Sequence, residues 1–243
     1  MKAGGDTVSV WWLDLSVIDP ARIPADRLLT AEELRRRDRF HRQADRDRFQ
    51  LGRCLARLAI ADRTGCRPED VGILIGSMGR PSPTTEGTSL SISHSGDIVA
   101  VAVGPWPEIG IDVEKHEAGL PEELAATVCS DAECGTLRTC SPPDRLRLFF
   151  ALWTLKEAYM KATGVGLGLD PTACAFDPAD PVRPMSLPDP DGSGSVNPTL
   201  WSFRLWQPLS VYSMALAMRP AAGRPCHVAG PADARDLIRR HFG

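Results

Sequence analysis

Apolar and polar positions along the chain change period several times. Val8 to Leu15 alternates as a first strand, and helix-like spacing predicts helices at about Ala31 to Asp38 and Asp45 to Thr64. Thr30-Ala-Glu-Glu33 has the form of a capping box opening the first of these. Short strands are predicted near Val71 to Ile75, Leu90 to Ser93, Ile98 to Val103 and Ile109 to Glu114. Helical stretches follow near Pro121 to Thr127 and Asp144 to Thr163, then strands near Ala173 to Phe176, Leu200 to Leu205 and Ser210 to Ala217. Both halves mix helices with hairpin-like strands, which predicts an α+β architecture rather than a parallel doubly wound sheet. Asp177 to Pro198 holds six prolines and a Gly-Ser-Gly and reads as a long surface loop. From Arg219 the chain is Pro/Gly-rich as far as Pro231, then helical through His241, and no chemistry is assigned to it.

Composition narrows the classes. At 243 residues and 43% apolar content the chain can build a core of its own. No apolar run is long enough to cross a bilayer and the N-terminus lacks the features of a signal peptide, so a cytoplasmic location without a membrane partner is expected. Seven cysteines show neither Cys-x-x-Cys pairs nor zinc spacing and read as reduced thiols. A net charge of −3 argues against nucleic acid as a partner. Charge is nevertheless uneven: from Arg22 to Arg53 ten arginines face six acids.

Three stretches carry candidate chemistry. In Phe149 to Ala162 an apolar helix face accommodates Lys156, Glu157 and Lys161; Glu157 and Lys161 are four apart, the spacing of a surface ion pair or of a shared site. Ile109-Gly-Ile-Asp112-Val-Glu114, as a strand, puts Ile109, Ile111 and Val113 on one face and both carboxylates on the other. That face is either solvated or a set of hard oxygen ligands for Mg²⁺. Leu90-Ser-Ile-Ser93-His94-Ser95-Gly96 reads as a strand entering a hairpin turn, with hydroxyls, turn amides and an imidazole that suit phosphate. Upstream, Gly79-Arg80-Pro81 offers a guanidinium on a stiff loop.

In this order, Gly79-Arg-Pro81, Ser91-Ile-Ser-His94, Gly110-Ile-Asp-Val-Glu114 and Trp153-Thr-Leu-Lys-Glu-Ala-Tyr-Met-Lys161 resemble the 4′-phosphopantetheinyl transferase superfamily, in its two-lobed, surfactin-synthetase-activating (Sfp) type. The similarity runs from Leu29 to about Leu169. It implies two pseudo-symmetric lobes, each a small antiparallel sheet with packed helices, and an active site in the cleft between them. Residues 1–106 would form the nucleotide-binding lobe, 107–218 the lobe with the metal site and catalytic helix, and 219–243 a C-terminal tail.

The implied activity is transfer of the 4′-phosphopantetheine group of coenzyme A to a serine of an apo acyl or peptidyl carrier protein, with Mg²⁺. The resemblance makes Asp112, Glu114 and Glu157 metal ligands, Glu157 also the general base, and Lys161 and His94 further catalytic groups. Arg36, Arg48, Gly79, Arg80, Pro81, Ser93, His94, Asp112 and Lys161 would bind coenzyme A. Glu33 stands where some members have a lysine, so part of the grip on the phosphorylated ribose is missing or comes from a neighbouring arginine. Carrier contacts are expected around Lys115 to Leu124, and the chain is expected to be a monomer. The competing readings are a catalytically silent coenzyme A-binding partner protein and a structural module with salt-bridged helices.

Overall fold

The computed structural model describes residues 5–76, 79–117, 119 and 122–242. They divide into two compact units: residues 1–107 together with 224–243, and residues 108–223.

The first unit begins with β1 (Thr7–Asp14), followed by α1 (Ala25–Leu28), α2 (Ala31–Asp38) and α3 (Gln43–Thr64). The capping box is formed: Thr30 Oγ1 accepts from Glu33 N at 3.2 Å, and Glu33 Oε2 accepts from Thr30 N at 2.9 Å. α3 ends at Gly65, whose φ of +78° supplies the left-handed turn that other residues adopt only with strain. β2 (Ile73–Ile75), β3 (Pro81–Pro83), β4 (Ser89–Ser95) and β5 (Ile98–Gly104) complete the run. β5 is buried along its whole length because β1 and β4 pair with it on either side and α3 packs Leu51, Leu55 and Leu58 into the same core.

The second unit contains β6 (Ile109–Lys115), α4 (Glu122–Val128), α5 (Asp131–Thr139) and α6 (Pro142–Thr163). It continues with β7 (Ala175–Asp177), β8 (Asp180–Pro188), β9 (Ser195–Val196), β10 (Ser202–Trp206) and β11 (Tyr212–Met218). β10, β11 and β6 form an antiparallel sheet in that order, and α6 lies across it. Back in the first unit, β12 (His227–Asp233) and α7 (Arg235–Phe242) end the chain.

The mixed α+β architecture is as expected, and three details differ from the sequence reading. The stretch 177–198 is not a loop: β7, β8 and β9 make a three-stranded ribbon, with shifts of register around Phe176 that accommodate the prolines of β8. The segment 219–243 is not a separate tail, since β12 pairs in parallel with β1 and Leu237 of α7 is fully buried in the first core. α5 was not expected; Gly135 and two threonines blur its periodicity, and its signal is the capping box of Ser130 and Glu133. Among the described residues no helix is long and apolar enough to cross a membrane.

Candidate active site

Of the two readings of the acidic face of β6, a freely solvated face does not hold at Asp112: Ile109 through Val113 are all buried and Asp112 is 2% exposed. The cause is Gly110. A Cβ there would sit 1.9 Å from the carbonyl oxygen of Ala158 and 2.5 Å from the amide nitrogen of Ala162, so only glycine lets α6 lie directly on this face of the strand. Asp112 and Glu114 share the face with Gly110 by the period of two.

Helix and strand then run in step. Four helical residues rise about 6 Å and two strand residues about 6.7 Å, so side chains one turn apart on α6 and two apart on β6 are similarly spaced along the contact. Trp153 Nε1 donates to Glu114 Oε1 at 3.5 Å, Lys161 Nζ donates to Asp112 Oδ1 at 2.6 Å, and Ala162 closes on Gly110. Glu157 stands between Trp153 and Lys161 on the same helical stripe. Burial and then the negative charge of Asp112 push the Glu157 carboxyl up to about 7, with Lys161 pulling down and Glu114 pushing further up.

Three carboxylates that feel one another in a half-buried place form a site that favours a cation. Among the described residues no three acidic, histidine or cysteine side chains already stand at ligating distances, and Lys161 occupies Asp112 instead. The donor set of carboxylate oxygens nevertheless fits Mg²⁺, a hard ion that takes one or two protein carboxylates with water and substrate oxygens. Lys156, beside Glu157 in sequence, serves a different purpose. It is fully buried and donates to Glu133 Oε2 at 2.6 Å, to Val128 O at 2.8 Å and to Pro171 O at 3.1 Å. All three ammonium donors are engaged, so Lys156 anchors α6 to α5 and to the segment that precedes β7.

Glu157 makes the metal-free protein sensitive to pH. Its folded-state value lies above the ordinary 4.5, so the folded state holds a proton more tightly, and the stability this brings is present below 4.5 and lost as pH rises through about 7. In EDTA, wild-type melting temperature should fall between pH 5 and pH 8 relative to Glu157→Gln, which carries no titrating group there. Discounted for the partial exposure of the carboxyl, the difference is about 1–2 kcal/mol. That corresponds to roughly 2–6 °C in a scanning fluorimetry series. Parallel pH profiles for the two proteins would contradict it.

In the first unit the expected residues fall into three groups. His94, exposed, and Ser93, buried, are adjacent on β4. The turn after them is held by Arg48, whose Nη1 donates to Gly96 O at 2.7 Å and whose Nη2 donates to Asp45 Oδ1 at 2.5 Å. Hydrogen bonding to Arg48 holds the Asp45 carboxyl below its usual range. Gly79, with φ of +78°, turns the chain into β3, which begins at Pro81, and Arg80 Nη2 donates to Pro107 O at 3.1 Å.

Arg36 lies over the ring of Phe49 at 5.6 Å and lines a cavity of about 670 Å³ with Glu32, Arg35, Arg39 and Phe40. Glu33 is not part of that wall: it is 8% exposed, and Arg57 takes both its oxygens, at 3.2 and 2.8 Å. Of the carrier-contact stretch, residues 118, 120 and 121 lie outside those described; Lys115 lies over the Tyr212 ring at 5.8 Å.

Comparison with known proteins points the same way. A family model described as "4′-phosphopantetheinyl transferase superfamily" matches residues 108–217, within the second unit. The chain is similar to the 4′-phosphopantetheinyl transferase HetI of Nostoc sp. (strain PCC 7120), 30% identical over 190 residues that cover 75% of this chain and 80% of HetI. A phosphopantetheinyl transferase of Thraustochytrium sp. is 29% identical over 209 residues, 78% of this chain and 69% of that protein. The 4′-phosphopantetheinyl transferase Sfp of Bacillus subtilis (strain 168) is 32% identical over 132 residues, 54% and 58% of the two chains.

Proposed function

Since this chain belongs to the 4′-phosphopantetheinyl transferase superfamily, we propose that it moves the 4′-phosphopantetheine arm of coenzyme A onto a serine of an apo acyl or peptidyl carrier protein. The observation that carries this reading is the ladder of Glu114, Asp112, Glu157 and Lys161 along the contact of β6 with α6, in the family-matched part of the chain.

The serine oxygen forms a bond to the pantetheine-side phosphorus of the diphosphate, the bond from that phosphorus to the bridging oxygen breaks, and 3′,5′-adenosine bisphosphate leaves with the electron pair. Glu157 takes the serine proton, as the carboxylate that stands with Asp112 and Lys161 in that ladder. Asp112 and Glu157, with Glu114 directly or through water, would hold Mg²⁺, which when bound neutralises charge on the diphosphate and orients it. Lys161 places an ammonium on the same stripe as Glu157, where it stabilises phosphate charge. His94, Ser93 and the Gly79-Arg80-Pro81 turn position the nucleotide. Arg48 acts through the turn it holds rather than by an open guanidinium. The same reading has the chain act as a monomer in the cytoplasm, with neither nucleic acid nor membrane as partner, and meet its carrier near Lys115 to Leu124. Intact-mass spectrometry of apo carriers incubated with coenzyme A and Mg²⁺ tests it, since transfer adds one phosphopantetheine to the carrier.

Arg36 belongs to recognition rather than chemistry. Arg36→Ala should raise KM for coenzyme A with kcat nearly unchanged, the pattern of lost uniform binding. A charged hydrogen bond of about 1.5–3 kcal/mol corresponds to a change of roughly 10- to 100-fold. With 3′-dephospho-coenzyme A the penalty should largely vanish. Steady-state kinetics with both substrates decide, and equal penalties would remove Arg36 from the 3′-phosphate.

A further inference from the structure

Glu114 stands near the end of β6, which lies at the edge of its sheet beside β11. The ends of such strands open easily unless side chains tie them down. Trp153 Nε1 reaches Glu114 Oε1 only at 3.5 Å, longer than a good hydrogen bond, so that contact by itself aims the carboxylate weakly.

The residue that ties this end is His116. Its backbone N donates to Val211 O at 2.8 Å, which carries the pairing of β6 with β11 one residue beyond Lys115. Two positions past Glu114, its side chain returns to the face of Gly110, Asp112 and Glu114. There the imidazole lies flat on Phe150 of α6, with ring centres 5.0 Å apart and planes 16° apart. Its Nε2 shares a hydrogen bond of 2.9 Å with Ser213 Oγ of β11. Ser213 is 1% exposed and is the residue paired with Glu114 across the sheet, so its side chain stands on the same face as that carboxylate. A buried hydroxyl requires a partner, and His116 supplies it.

One ring therefore joins α6 to β11 at the end of β6. Along α6, Phe150, Trp153 and Lys161 meet His116, Glu114 and Asp112 in turn, so the stack is a further rung of the same ladder, beyond Glu114. We infer that His116 is a positioning residue for the cation: through Phe150 and Ser213 it fixes the end of β6, and with it the place from which Glu114 meets the metal. This rests on the Mg²⁺ reading above and adds to it the residue that aims a ligand. Side chains that orient a metal ligand govern affinity for the ion even where they do not touch it.

The test counts free Mn²⁺ by electron paramagnetic resonance, in mixtures with the full chain and coenzyme A and without carrier, so that no turnover occurs. Mn²⁺ takes the same oxygen donors as Mg²⁺. His116→Ala should weaken Mn²⁺ binding by about tenfold. His116→Phe keeps a ring on Phe150 but loses the bond to Ser213, and Ser213→Ala loses the same bond; both should fall between wild type and His116→Ala. In transfer assays His116→Ala should raise the half-saturating Mg²⁺ by a similar factor and regain near wild-type kcat at saturating Mg²⁺, which a general loosening of the fold would not do. Combined with Glu114→Ala, it should weaken Mn²⁺ little further, since the ligand it aims is already gone. The inference is overturned, with the transferase reading left in place, by unchanged Mn²⁺ affinity in His116→Ala, by a kcat that saturating Mg²⁺ does not restore, by a Glu114→Ala chain that binds Mn²⁺ like wild type, or by full additivity of the two substitutions. Wild type that binds no Mn²⁺ beyond what coenzyme A binds overturns the Mg²⁺ reading as well. If His116→Ala has no cooperative melt, His116→Phe takes its place in each comparison.

Discussion

Asp112→Ala should remove nearly all transfer activity. The substitution takes away the acid that is most buried at the site and leaves Lys161 without its 2.6 Å partner. On the proposed reading it deletes a cation ligand, and it removes the carboxylate to which the ammonium donates. Loss of one preorganised electrostatic group of this kind lowers kcat by roughly 10²- to 10³-fold. Glu157→Ala should be at least as damaging, since in the proposed mechanism it removes a ligand together with the general base, whose share is roughly 10²- to 10⁴-fold. Glu114→Ala should be milder if Glu114 reaches the cation through water. Kinetics across a Mg²⁺ titration, with circular dichroism to verify folding, separate the three. Near-normal turnover of Asp112→Ala at ordinary Mg²⁺ would contradict the assignment.

Gly110→Ala should be as severe without touching a charge. The added methyl would lie 1.9 Å from Ala158 O and 2.5 Å from Ala162 N, both backbone atoms of α6, so no side-chain rotation accommodates it. Helix and strand must part by more than an ångström. Overpacking of this kind costs about 1–3 kcal/mol or more, and a displacement of about 1 Å at a catalytic group can cost roughly 10²-fold. The second unit should therefore melt several degrees lower, and activity should fall even well below the melting temperature. A variant with wild-type stability and turnover would mean that the contact of β6 with α6 does not set the spacing of Asp112 and Lys161.

Much of this site could be read locally. Alternation put Asp112 and Glu114 on one face, and helical spacing put Glu157 and Lys161 on another. Burial of the acidic face could not be read from alternation; its one local sign is Gly110, the residue without a side chain in that face. The partners of the charges were hidden for a physical reason. Lys161 is spaced for Glu157 but donates to Asp112, 49 residues away, and Lys156 finds Glu133 23 residues upstream; both contacts exist only once helix and strand pack. Glu33 looked like a gap in a phosphate grip, and the fold shows it clamped by Arg57.

The fold was legible where period and caps agree, as at α2, α3 and α6, whose ends carry Thr30, Gly65, Ser141 and Gly164. It was not legible where proline masks pairing, as in β8, or where a strand waits for a partner more than 200 residues away, as β12 does for β1.

The central claim is tested most directly by incubating the purified chain with coenzyme A, Mg²⁺ and a panel of apo acyl and peptidyl carrier proteins, then reading intact masses. At least one carrier should gain a single phosphopantetheine on its serine, with 3′,5′-adenosine bisphosphate released in equal amount and no gain with Asp112→Ala. A folded wild-type chain that binds coenzyme A yet modifies no carrier in a broad panel would contradict the account.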